Sequence, residues 1–284
     1  MKHKILFAKL FFLFFFLFFN YCSLFLVKDP LAKQNETQIR ICFWNVKNLS
    51  IKGLNRHEKG SYILRYSQSC DAIVYLEVRS AGIDMAKAFE EAFVESGYKY
   101  ACEEGIAKGE EEGTRKEKYL ACIKSEWADT FGKLEYADED NDFARPPTFF
   151  FFQFQGNKFL LVPFHSTPKD KEELKNFQKV IDYAFKNFSD RKIFFGGDFN
   201  TGSNYQKVEF LITLPYFLYL EQLIKEPTTF ANQHHDLIFT DKLVAQFCKG
   251  KVWRLDELFP EVEGRKKLEK ISDHFPISAD CKFK

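Results

Sequence analysis

The sequence predicts a single domain of mixed class, α/β or α+β, in which strands and helices interleave. Two observations predict it. Eight short apolar runs, at 39–46, 72–78, 119–123, 148–154, 159–164, 193–195, 237–240 and 276–279, have strand length and polar or turn residues at their ends. Two longer segments, 83–95 and 172–188, repeat their apolar residues at helical spacing. No internal repeat and no Pro/Gly/Ser-rich break divides these elements, so one packed body is expected.

The 284 residues suffice for a core that stands without staples. With 45% hydrophobic and 29% charged residues the chain is neither a disordered tail nor a polytopic membrane protein. A formal charge of +1 excludes a strongly basic nucleic-acid coat.

The elements follow in chain order. Lys2, Lys4 and Lys9 precede an uncharged stretch over 10–27 that is rich in Phe and closed by Lys28, Asp29 and Pro30. A basic start followed by an apolar run is the pattern of an export signal. Its length is also near the lower limit for a membrane span, so residues 1–28 are expected to be a signal peptide or an amino-terminal anchor. Cys22 adds lipidation as a third route. A buried core helix is disfavoured, because Phe surrounds the whole helix rather than one face. Residues 29–37 read as a polar linker and 38–284 as the domain. Residues 1–28 hold four of the 41 basic residues and none of the 40 acids, so the rest of the chain, with 37 against 40, is near −3.

Strand 39–46 leads into Trp44-Asn45-Val46-Lys47-Asn48, and strand 72–78 carries Glu77 with Arg79 behind it. The helix over 83–95 presents Met85, Ala88, Phe89, Ala92 and Phe93. The stretch 103–118, dense in Glu and Lys with three glycines, reads as a solvated loop. Strand 159–164 runs into His165-Ser166-Thr167-Pro168. The helix over 172–188 carries a stripe from Leu174 to Phe188. Strand 193–195 runs into Gly196-Gly197-Asp198-Phe199-Asn200. His234-His235-Asp236 precedes strand 237–240, and Ser272-Asp273-His274-Phe275-Pro276 precedes the last. Of seven cysteines, Cys42 and Cys122 lie inside apolar strands and are expected as buried free thiols. The pairing of Cys70, Cys102, Cys248 and Cys281 is not readable from sequence.

Singly, an Asp or Asn at a strand end is most often a turn residue. The Gly-Gly-Asp-Phe-Asn run says more. Its glycines permit close backbone approach, and Asp198 and Asn200 would point the same way along an extended chain. Asp273 and His274 are adjacent, so they need a turn or have separate tasks, with His274 finding its carboxylate elsewhere.

The order of Asn45, Glu77, Glu117, His165, Asp198 with Asn200, Asp236, and Asp273 with His274 resembles the endonuclease/exonuclease/phosphatase superfamily, most closely its deoxyribonuclease I-like members. The likeness covers roughly residues 38–283. Further local matches are Glu77-Val78-Arg79, Lys116-Glu117-Lys118-Tyr119-Leu120, Asp142-Phe143-Ala144-Arg145 and His165-Ser166-Thr167-Pro168.

The resemblance implies an α+β, four-layer α/β/β/α sandwich, two packed mixed sheets flanked by helices. It implies hydrolysis of a phosphodiester by water. His165 with Glu117 and His274 with Asp236 would be two acid–base pairs, His274 the base and His165 the acid. Asp198 and Asn200 would position water and phosphate. Asn45, Glu77 and Asp273 would serve a Mg²⁺ ion, with Mn²⁺ as a substitute. Arg79, Arg115, Arg145 and Tyr205 would contact DNA. The family's calcium sites are not carried over, because Ser203 and Gln233 stand where its long-range disulfide belongs. The chain is thus expected to be an exported, secreted or periplasmic DNA endonuclease, a monomer held to a membrane only if its leader stays attached. Two other readings are a phosphodiesterase acting on a phospholipid headgroup or inositol phosphate, and a non-catalytic, toxin-like binding module.

Overall fold

The computed structural model describes residues 37–56, 58–79, 83–105, 117–168, 170–201, 217–219 and 225–283. The leader and linker expectations for 1–36, and the positions of Arg115 and Tyr205, lie outside them. Among the described residues no helix is long and apolar enough to cross a membrane.

Residues Thr37–Phe283 form one compact unit built on two six-stranded sheets. The first sheet contains β1 (Thr37–Leu49), β2 (Ala72–Arg79), β3 (Tyr100–Glu104), β4 (Glu117–Lys124), β11 (Cys248–Val252) and β12 (Ile277–Phe283) in the order β11-β12-β1-β2-β4-β3. The second contains β5 (Gly132–Glu135), β6 (Thr148–Phe154), β7 (Asn157–His165), β8 (Lys192–Asp198), β9 (Phe217–Tyr219) and β10 (Asp236–Asp241) in the order β5-β6-β7-β8-β10-β9. Each sheet is mixed, with one parallel pair at its centre, β1 beside β2 and β7 beside β8. Helices α1 (Ile51–Leu54) and α2 (Lys59–Ser67) make the first crossover, and α4 (Lys171–Asn187) makes the second. Among the described residues the unit also holds helix α3 (Met85–Glu95), a 3-10 turn at Ser125–Thr130 and three short helices, α5 (Lys242–Ala245), α6 (Leu255–Leu258) and α7 (Arg265–Ile271). This is the expected four-layer sandwich.

The phenylalanine-rich strands are buried on both faces along most of their length, with Gln153 and Lys158 exposed at the hairpin end. In β6 and β7, Phe150, Phe152, Phe159 and Leu161 enter the core shared with the first sheet, while Phe149, Leu160, Val162 and Phe164 enter a second core under α4. That alternation follows from the two-residue period of a strand buried on both faces. Helix α4 closes the second core with Phe177, Val180, Ile181 and Ala184, and its amino end is capped by Asp170, which accepts from the amides of Glu172 and Glu173. Helix α3 is capped likewise by Asp84 and packs Phe89 on Tyr75 and Phe93 on Tyr100.

Two expectations change. Cys42 and Cys122 are not free thiols; the bridges are Cys42–Cys70, Cys102–Cys122 and Cys248–Cys281. Cys122 faces its partner directly across β3, and Cys281 does so across β11. The sequence reading held neither β3 nor β11, so neither pair had a visible geometry. The stretch 103–118 is also only partly a loop: Glu103 and Glu104 end β3, and Glu117 and Lys118 begin β4.

Candidate active site

The inter-sheet core ends in polar residues at one edge. Register places His165 of β7 beside Asp198 of β8, and Asp198 beside Asp236 of β10. These three side chains continue the faces of Leu161, Phe194 and Ile238, which line the inter-sheet core. Gly196 and Gly197 let the sheets meet there. A side chain on Gly196 would reach 2.6 Å from the Phe43 ring, and one on Gly197 would reach 2.8 Å from the Leu76 side chain of the first sheet and 2.3 Å from the Phe164 carbonyl oxygen of the neighbouring strand. Gly197 also has φ of +134°, a region that disfavours side chains.

From the first sheet come Asn45, Glu77 and Glu117. Buried Asn45 donates through Nδ2 to Glu77 Oε1 at 2.9 Å and to Asp198 Oδ2 at 3.0 Å, joining the sheets across the site. Its Oδ1 accepts from the Lys47 amide, and Glu77 Oε2 accepts from the Asn48 amide. Lys47, Asn48, Glu77 and Asn200 all have φ between 48° and 59°. Non-glycine residues adopt that region at a cost, and here four gather at one edge, as strained residues do at functional sites.

Two histidine–carboxylate pairs face each other across Asp198. His165 Nδ1 lies 2.5 Å from Glu117 Oε1, and His274 Nδ1 lies 2.8 Å from Asp236 Oδ2. Each Nε2 lies 3.6 Å from the same atom, Asp198 Oδ2. Burial opposes charge on His165, but its hydrogen bond to Glu117 and the charges of Asp198 and Glu117 raise its pKa. Burial likewise opposes charge on His274; Asp236 and Asp198 outweigh it and raise the group to about 10. Burial also pushes the Asp236 carboxyl up, in competition. Two carboxylates against one imidazole keep the proton on His274. Glu117 is held low despite its burial, by His165 and by Arg145, whose Nε donates at 2.8 Å.

The expected residues divide by position. Asn45, Glu77, Glu117, His165, Asp198, Asp236 and His274 converge. Asn200 stands at the rim, but the extended chain expected to align it with Asp198 is absent. Its left-handed backbone instead turns its amide N–H to Asp198 Oδ1, and its side chain donates to the Ser166 carbonyl at 2.7 Å. Asp273 pairs with Lys47 at 3.1 Å. Arg145 is engaged by Glu117, and Arg79 sits opposite Glu117 in register, its buried Nε without a hydrogen-bond partner.

The sequence reading missed the residues that hold this set. Ser272 donates to the Asn45 carbonyl and accepts from the His274 amide. Trp44 Nε1 donates to the His274 carbonyl. The Tyr119 hydroxyl accepts from the His165 amide and donates to the Arg145 carbonyl. Thr228 Oγ1 accepts from the amides of His235 and Asp236. The His235 ring lies 5.9 Å from the His274 ring.

Oxygen donors of Glu77, Asp198 and Asp236 fit a hard divalent cation, and ligand atoms of Asp198, Asp236 and His274 lie within 4.8 Å of one another. In that trio Asp236 already binds the His274 ring, which makes it first a proton-holding network. Glu77, with 18% of its side chain exposed, is more open to solvent than Asp198 or Asp236, and Asp273 at the rim is more open still.

No family model matches this sequence. Among solved structures, an endonuclease/exonuclease/phosphatase family protein from Bacteroides thetaiotaomicron superposes with a TM-score of 0.59 at 16% identity, covering 88% of this chain and 99% of that one. The chain has the endonuclease/exonuclease/phosphatase fold. Curated proteins similar to it in sequence include mouse deoxyribonuclease gamma, 24% identical over 282 residues, covering 87% of this chain and 86% of the relative. Bovine deoxyribonuclease-1-like 1 is 27% identical over 267 residues, covering 88% and 82%. In this endonuclease/exonuclease/phosphatase fold the site lies where the two central parallel pairs end together.

Proposed function

We propose that the chain is an exported, metal-dependent phosphodiesterase that cuts DNA without sequence preference. The observation that carries the reading is the pair of histidine–carboxylate dyads set symmetrically on Asp198, since in-line displacement at phosphorus needs a proton acceptor and a proton donor on opposite sides. Similarity to deoxyribonucleases supports a phosphodiester-bond hydrolase and favours DNA as substrate. Three disulfides support export into an oxidising compartment.

Glu77 would hold a Mg²⁺ ion, with Asn45 locking its carboxylate and Asp273 at the rim. When bound, the ion would neutralise phosphate charge that otherwise repels a nucleophile. Asn45 and the Asn200 turn fix Asp198 beside both rings. His274, beside Asp236, Asp198 and Asp273, holds a proton, its pKa raised to about 10, and suits the leaving 3′ oxygen. His165, held through Nδ1 by Glu117 with its Nε2 toward Asp198, would then take the proton of the attacking water. This exchanges the roles expected from the sequence.

Supercoiled plasmid is expected to be nicked with Mg²⁺ and spared with EDTA, and His165→Ala and His274→Ala each to abolish nicking while remaining folded. Plasmid left intact under every divalent metal, with turnover of sphingomyelin or an inositol phosphate, would remove DNA from the reading. The two roles separate on a p-nitrophenyl phosphodiester, whose leaving group needs no proton. His274→Ala should keep much of that rate and His165→Ala should lose it; the opposite result restores His274 as base.

A further inference from the structure

Beside the catalytic edge, α1, the start of α2 and α7 enclose a pocket of about 890 Å³. Six cations line it: Lys47, Lys52, Arg56, Lys59, Lys267 and Lys270. Its acids are Glu58, Glu261 and Glu269. Two of these are engaged by arginines that do not line the pocket, Glu261 by Arg65 at 2.7 Å and Glu269 by Arg265 at 2.6 Å. Lys47 likewise pairs with Asp273 outside the lining, so five cations face Glu58 and the lining carries surplus positive charge. Lys59 is half-buried within it and donates to the Lys47 carbonyl at 2.7 Å. Burial, and then the charge of Lys47, push its pKa down to about 8, as expected where cations crowd without enough counter-charge.

The pocket shares a wall with the site. The left-handed corner Lys47-Asn48 gives one amide to Asn45 and the next to Glu77, and Lys47 and Asn48 both line the pocket. Nothing in the hydrolytic step uses Lys52, Arg56, Lys267 or Lys270. The volume suits a ligand far larger than one free phosphate ion.

We propose that this pocket is a second anion subsite, which takes sugar–phosphate backbone of the substrate strand on the Glu77 side of the scissile bond. The inference rests on the phosphodiesterase reading above. Each cation paired with a backbone phosphate releases a counterion, so the subsite acts on binding and on its salt dependence rather than on proton transfer.

The test is the full chain carrying Lys52→Gln, Arg56→Gln and Lys267→Gln, three exposed positions whose change leaves the core intact. In a His274→Ala background, anisotropy of a labelled 20-base-pair duplex should report a Kd at least tenfold weaker. The slope of log Kd against log salt should flatten by about two. In the active background KM for plasmid should rise by a like factor, with kcat within about threefold. Unchanged Kd and slope in the folded triple variant, or no duplex binding by the parent, overturns the subsite. Pocket-dependent duplex binding by a parent that never nicks DNA overturns the reaction and leaves the subsite standing. If the triple variant melts early, Lys52→Gln and Lys267→Gln singly give the same reading at smaller size.

Discussion

His274 shows how far one residue's chemistry depends on partners distant in sequence. Asp236 lies 38 positions away and holds its ring at 2.8 Å, and with Asp198 it raises the pKa to about 10. The sign follows from linkage. A histidine whose folded pKa exceeds its unfolded value stabilises the fold fully below about 6.5, and that contribution fades as pH rises toward 10. Asp236→Asn should bring the His274 titration, followed by NMR, down toward the ordinary histidine range. The stability gap between wild type and Asp236→Asn should be widest at acid-to-neutral pH and shrink above pH 7. A titration unmoved by the substitution would show that Asp236 does not carry the shift. His165, His274 and their three acids were legible from their order along the chain, which matches a known family; Glu117, inside a stretch read as loop, was legible from that resemblance alone. Ser272, Thr228, Trp44 and Tyr119 were not, since each acts through a backbone amide or carbonyl brought near only by folding.

At the level of elements, the long strands were readable because burial on both faces makes them continuous apolar runs. β3, β5, β9 and β11 escaped the reading. Each lies at the outer edge of its sheet and is short, and β3 and β11 carry Glu103, Glu104, Lys249 and Lys251, as edge strands that avoid aggregation do. The disulfides went unread with them, because two of three join an edge strand to its neighbour. The Gly-Gly step of β8 sets how closely the sheets approach. Gly196→Ala should press on Phe43 and cost about 1–3 kcal/mol by overpacking, measured in urea melts, with a parallel loss of nicking as Asp198 shifts. Full stability in that variant would mean the sheets do not meet there.

Across the whole molecule, stability divides unevenly between the two sheets. All three disulfides lie in the first sheet or at its margin, while the second relies on stacked phenylalanines such as Phe152 on Phe159 and Phe195 on Phe239. Reducing agent should therefore lower the melting temperature. Loss of each bridge is expected to cost about 2–5 kcal/mol. Mutating Cys42 with Cys70 should open the Asn45 strand and reduce activity more than mutating Cys248 with Cys281, which lies at the far edge. Equal activity losses in the two double mutants would contradict that ordering.

The Ser272 hydroxyl binds the carbonyl of Asn45 and the amide of His274, so the first strand of the unit and the loop before its last strand complete one another. β1 also waits for β12 as a sheet partner. During synthesis the candidate catalytic set consequently stays divided until nearly the final residues of the unit have been made. A ribosome-bound chain stalled before residue 272 lacks one dyad and leaves Asn45 unsupported. Under the proposed function such a chain is expected to lack phosphodiesterase activity, which requires that His274 has been made and has reached Asp236.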